Sequence, residues 1–189
     1  MTTSWLAPSE LAALGLASVG IDVRISRFAR IYGADRISVG DHVRIDDFCI
    51  LSADEPMRIG RNVHIAAYCG LFGAAGLELD DFSGLSSRVS IYTGSEDYSG
   101  ASLTNPTVPA AYRHYDARAI RIGRHAIVGA GAVILPGASL GDGAAVGSLS
   151  LVVRPVAPWS IAVGTPARVV KPRSRELLQL EIAYLADGR

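Results

Sequence analysis

The chain has 189 residues, of which 49% are hydrophobic, enough for one compact domain or a short solenoid with a real core. Its 18 basic and 18 acidic side chains cancel, which excludes a general attraction to nucleic acid or to an anionic membrane. Two cysteines make no disulfide framework, and no uncharged apolar run is long enough for membrane insertion as a helix.

The opening "MTTSWLAPSELAALGLASVG" lacks the basic start of a secretory signal, and Pro8 and Glu10 fall where the apolar run would be. A soluble, cytoplasmic protein is expected. Residues 1–18 read as a capping segment, with a short helix over 8–15 and Ser9 as its N-cap.

From Val19 the chain keeps a strict count. Every sixth residue is aliphatic, with two extra residues after each third step: Val19, Ile25, Ile31, Val39, Ile45, Leu51, Ile59, Ile65, Leu71, Leu79, Leu85 and Ile91. The count resumes at Ile122 and runs through Val128, Ile134, Leu140, Val146 and Val152. A small residue or Val often stands four places after each, and Gly or Asp often follows directly. An amphipathic helix cannot give a period of six, and plain strand alternation would not mark one residue in six. Three short strands per turn can, stacked about 4.8 Å apart around a shared core. The pattern predicts an all-β parallel β-helix over residues 19–171. Cys49 and Cys69 fall one twenty-residue turn apart at inward positions, so both are expected to be buried as small hydrophobes.

Residues 94–119, "GSEDYSGASLTNPTVPAAYRHYDARA", break the count. Extra residues at one corner must project as a loop, and such loops often carry function. Beyond the last repeats, residues 143–175 contain no acid but hold Arg154, Arg168, Lys171, Arg173 and Arg175. "RSRELLQLEIAYLADG" over 173–188 then predicts an amphipathic helix ending at Gly188. Both terminal helices are expected to cover open ends of the solenoid, which otherwise recruit other chains.

The six-residue pattern resembles the hexapeptide-repeat acyltransferases. The resemblance, and not the spacing, implies a left-handed β-helix and a homotrimer with active sites between subunits. In related sugar and xenobiotic acetyltransferases a loop at the equivalent place carries a histidine that deprotonates an acceptor hydroxyl. Here that position falls at Glu96, with Asp97 next, and the nearest loop histidine is His114, far along the loop. A hydroxyl needs a base poised near neutrality, whereas an amine can attack unaided and needs only a group to hold it or accept its proton. The missing histidine therefore points to an amine acceptor. "VRIDDFCILS", "VHIAAYCGLFG", "FSGLSSRVSIYTGSEDYSG" and "LTNPTVP" are similar to a subgroup in surface-polysaccharide pathways. That subgroup includes N-acetyltransferases acting on nucleotide-linked 4-amino-4,6-dideoxy sugars.

His64 stands in a stretch that lines the acceptor pocket in those relatives and is a second catalytic candidate. His42 and His125 share another corner and read as structural. A three-histidine metal site, found in the carbonic-anhydrase branch of this fold, is not expected, because no two histidines show the spacing it needs. "GTPARVVKPR" resembles the family's closing segment, whose basic residues face coenzyme A phosphates, and assigns Arg168, Lys171 and Arg173 to that task. Gly129, Ala130, Gly147 and Ser148 are the small turn residues beside which the pantetheine arm can run.

The resemblance thus implies an acetyl-CoA-dependent acetyltransferase, with acetyl-CoA as donor, no metal, and a nucleotide-linked amino-deoxy sugar as acceptor for O-antigen or capsule synthesis. Two alternatives stand beside it: sugar O-acetylation with His64 as base, and a non-catalytic β-helix scaffold.

Overall fold

The computed structural model describes residues 4–187. Short strands stack into three parallel sheets, which form the faces of a β-helix of the expected kind. The first face holds Ser18–Val19, Ile37–Val39, Met57–Ile59, Leu77–Leu79 and Ile120–Ile122. The second begins at Arg24–Ile25, passes through His64–Ile65, Gly84–Leu85, Ile127–Val128 and Ala145–Val146, and reaches Ser160–Gly164. The third runs from Arg30–Tyr32 to Leu151–Val152.

Register follows the sequence count. Ile25 pairs with Ile45, Ile45 with Ile65, and Leu51 with Leu71, each twenty residues on. Across the interruption Leu79 pairs with Ile122 and Ile91 with Ile134, so the extra residues leave the ladder undisturbed. Of the counted aliphatic residues only Val19 and Ile31, in the first turn, are not buried. Each fully buried one contributes on the order of 1.5–3 kcal/mol of hydrophobic stabilisation. Cys49 and Cys69 lie in this core, and their thiols donate to the carbonyls of Ala66 and Ser86, both at 3.1 Å.

The corners turn through left-handed backbone. Asn62, Phe82 and His125 hold positive φ between the first and second faces; Phe48, Tyr68 and Arg88 do so between the second and third. Non-glycine residues accept this only where the surrounding structure fixes the turn.

The ends depart from expectation in three ways. Helix α1 spans Pro8–Ala13 and its cap is Ala7, not Ser9. Pro8 needs no N–H partner at the first helical position, and Glu10 reaches back to accept the Ala7 N–H at 2.6 Å. Leu6, Leu11 and Leu14 then cover the first turn of the core. Helix α2 spans Leu177–Ala186, four residues later than predicted, because Arg173 and Arg175 are held by the solenoid; Gly188 lies outside the described residues. Nor does α2 bury an apolar stripe over the open end. Leu180 and Ile182 are 73% and 64% exposed, while Glu181 and Tyr184 dock against the flank. The upper edge of the second face is paired instead by Ala167–Pro172, folding back antiparallel on Ser160–Gly164.

Candidate active site

Small residues stack along the second face and its corner with the third. Val128 pairs with Val146, which brings Gly129 over Gly147 and Ala130 over Ser148. A side chain at Gly129 would collide with the backbone of Gly147 and Ser148, so this turn admits only glycine. One turn below, the stripe meets a cleft of about 320 Å³ lined by His64, Ala66, Gly84, Ser86, Ser87 and Ile127. The four small residues assigned to the donor and the histidine assigned to the acceptor thus share one continuous surface.

His64 is half exposed, and its Nε2 lies 2.9 Å from Asp46 Oδ2. The other Asp46 oxygen accepts from Arg44 at 2.6 Å. Burial opposes ionisation of Asp46, but the bonds from Arg44 and His64 outweigh it and hold its carboxyl below the ordinary range. His64 is therefore fixed by a carboxylate.

The interruption forms a two-stranded ribbon, Gly94–Glu96 against Tyr115–Ala117, closed at its root where Arg118 N donates to Thr93 O at 2.8 Å. Tyr115 lies over Gly94, where a side chain would displace it. Glu96 accepts from Arg113 at 3.2 Å, and both side chains are mostly buried at 26% and 20% exposure. Glu96 Oε2 and Arg113 Nε are buried with no partner among the described residues. Asp97 is half-buried and organises the next turn: Oδ1 accepts the Ser99 N–H at 2.7 Å, and Oδ2 accepts the Ser102 N–H at 2.9 Å and its hydroxyl at 3.1 Å. Bonds from Ser99 and then Ser102 hold its carboxyl down at about 2. It is a fixed negative charge at any physiological pH.

Between the ribbon and the third face lies a cleft of about 750 Å³, lined by Tyr92, Tyr98, Tyr115, Asp54, Glu96 and Arg113. Burial, then Glu96 and Asp54, push the Tyr115 phenol up, so it stays protonated. This cleft and the His64 cleft have no lining residue in common. One chain therefore does not bring Glu96 and Asp97 to His64: the loop leaves from one corner of the solenoid and the stripe runs beside another.

The basic tail contrasts with the rest of the molecule. Among the described residues Arg154, Arg168, Lys171, Arg173 and Arg175 form no ion pair, whereas most arginines of the lower turns do. Arg168 and Lys171 lie on the Ala167–Pro172 strand, above Gly147 on the same face. Arg173 has a structural task, donating to the carbonyls of His125 and Gly143 at 2.8 and 3.0 Å. No group of three or more His, Cys, Asp or Glu among the described residues is placed to hold a metal. Among the described residues no helix is long and apolar enough to cross a membrane.

Sequence reading missed Ser86, Ser87, Arg88, Arg113 and Tyr115. The Glu96–Arg113 pair spans seventeen residues of a loop without period, so nothing local announced it.

No family model matches the chain. It is 41% identical over 182 residues to a dTDP-4-amino-4,6-dideoxy-D-glucose acyltransferase of Escherichia coli, covering 96% of this chain and 95% of that one. Its structure is similar to that of AntD, an N-acyltransferase from Bacillus cereus in complex with dTDP and 3-hydroxybutyryl-CoA. The identity is 40%, the TM-score 0.95, and 99% of each chain is covered. AntD is also known with dTDP-4-amino-4,6-dideoxyglucose and coenzyme A, at TM-score 0.95, 40% identity, and coverage of 99% of this chain and 100% of that one. Its structures include variants of a serine and of an aspartate ten positions further on.

Proposed function

We propose, for a chain that belongs to the hexapeptide-repeat family of acyl-CoA-dependent acyltransferases, transfer of an acyl group to the amine of a nucleotide-linked 4-amino-4,6-dideoxy sugar. One observation carries the reading. A stripe of small residues leads from the strand of Arg168 and Lys171, which form no ion pair among the described residues, to the His64–Ser87 cleft, the path needed by a donor with a phosphate end and a thioester end. The end-to-end likeness to acyltransferases that use dTDP-amino sugars supports it.

The chemistry asks little of the protein. The neutral amine attacks the thioester carbonyl, a C–N bond forms, the C–S bond breaks, and the proton shed by nitrogen ends on the coenzyme A thiol. Gly129, Ala130, Gly147 and Ser148 flank the pantetheine arm, and Arg168 and Lys171 meet its phosphates. Asp97 holds the incoming ammonium in place; a carboxylate at about 2 is too weak a base to do more than relay its proton. Ser87 lies ten residues before Asp97, the spacing of the varied serine and aspartate of AntD, and supplies a hydroxyl to the same amine. Because the loop and the stripe occupy different corners of one chain, the working site combines the loop of one chain with the stripe of a second. The assembly is a homotrimer acting in the cytoplasm, and its product feeds surface polysaccharide such as lipopolysaccharide O-antigen.

The fixed His64–Asp46 pair favours one other reading, O-acylation with His64 as base. A panel of nucleotide-linked amino and hydroxy sugars, each with acetyl-CoA and longer acyl-CoAs, separates the two by release of free thiol. Thiol release with dTDP-4-amino-4,6-dideoxyglucose and none with its 4-hydroxy counterpart is expected. The reverse pattern overturns N-acylation.

A further inference from the structure

Phe28, Phe48, Tyr68 and Arg88 occupy one corner position at intervals of twenty residues, between the second and third faces. The rings form a ladder, with centroids 5.6 Å apart for Phe28–Phe48 and 5.0 Å for Phe48–Tyr68. The fourth rung is a cation. The Arg88 guanidinium sits 5.3 Å from the Tyr68 ring centroid, a cation–π geometry that fixes the head group while leaving its N–H edge open. Among the described residues that guanidinium has no hydrogen bond and no ion pair. The next rung up is Gly131, which has no side chain to cover it.

Position gives this cation a ligand. Arg88 follows Ser87, at the end of the stripe farthest from Arg168 and Lys171. The donor's phosphates belong at the tail, so a phosphate bound at Arg88 belongs to the other substrate. We infer that Arg88, held by the Phe28–Phe48–Tyr68 ladder, binds the diphosphate of the nucleotide-linked acceptor, with Tyr68 as a positioning residue. The assignment rests on the acceptor class proposed above.

Steady-state kinetics with dTDP-4-amino-4,6-dideoxyglucose and acetyl-CoA test it, together with inhibition by dTDP and by thymidine. Loss of a charge-assisted phosphate contact in Arg88→Ala should raise the acceptor KM and the dTDP inhibition constant by about ten- to a hundredfold. The thymidine constant and the acyl-CoA KM should stay where they are. Arg88→Lys should restore part of the loss, since it keeps the charge without the planar fork. Tyr68→Phe, which keeps a ring beneath the guanidinium, should raise the acceptor KM less than Tyr68→Ala. A rise in acyl-CoA KM instead makes Arg88 a donor ligand and overturns the inference. Wild-type enzyme that turns over while Arg88→Ala keeps its acceptor KM fails the Arg88 assignment alone. Wild-type enzyme that releases no thiol with any nucleotide amino sugar fails the acceptor reading and this assignment with it.

Discussion

Two neighbouring carboxylates on the loop have different tasks. Glu96 is committed to Arg113 inside the ribbon, whereas Asp97, also half-buried, spends its oxygens on the Ser99–Ser102 turn. Its folded pKa, about 2, lies below the ordinary 3.8. The order it lends the turn is therefore complete above pH 3.8 and lost as pH falls through about 2. Hydrogen exchange at the Ser99 and Ser102 amides should show that loss, and Asp97→Asn should show it already at neutral pH. Because Asp97 stays ionised across the working range, kcat/KM should fall about tenfold per pH unit below the pKa of the acceptor amine, with no second acidic ionisation. On an amine acceptor, Asp97→Asn should lower kcat/KM by about 10²-fold or less, and His64→Ala should do less damage than that. A hydroxyl acceptor reverses the order, since it cannot dispense with a near-neutral base. Rates of both variants across pH decide between them.

Among the elements, α2 is held by polar contacts where its sequence suggested an apolar stripe. Asn62 donates to the Tyr184 hydroxyl at 2.8 Å, Glu181 faces both Arg124 and His125, and Tyr184 meets the Phe82 ring edge-on. Burial, together with Arg124 and Arg173, pushes the His125 pKa down, so the imidazole docks in its neutral form. Glu181→Ala leaves Arg124 and His125 without that partner and should weaken docking by about 1–3 kcal/mol. Trypsin should then cut after Arg173 and Arg175 about five- to a hundredfold faster, while melting of the solenoid changes by only a few degrees. Unchanged cleavage would show that α2 is held by its half-buried Leu177 and Leu178 instead.

The whole molecule poses the question of assembly. A site built from the loop of one chain and the stripe of another predicts complementation in mixed trimers. Asp97→Asn and Ser87→Ala homotrimers should each be slow. Co-expressed in equal amounts, they should assemble particles in which about one interface in four carries both native residues, restoring about a quarter of wild-type activity. Light scattering should give three chains per particle. A fully active monomer, or mixtures no better than the average of their parents, would confine the site to one chain.

The solenoid was legible in the sequence because its repeat is local. Every twenty residues below the loop, and every eighteen above it, pose the same burial problem and solve it with the same aliphatic positions, so strand register followed by counting. The line of small residues was legible for the same reason, since Gly129 and Gly147 lie one turn apart and must be small where coils touch. Ser9 misled because its side chain fits a cap, while Pro8 was the stronger determinant of where α1 begins. The loop and α2 have no repeat to constrain them. Glu96 with Arg113, and Glu181 with His125, are pairings between distant residues that exist only once the chain has turned its corners. Composition and period therefore determined the β-helix, its core and the stack of small turn residues. Only the tertiary structure decided what the loop carboxylates hold, that α2 docks on the flank, and that Arg88 rests on the Tyr68 ring with no ion pair among the described residues, because charge pairing depends on three-dimensional proximity that no one-dimensional period encodes.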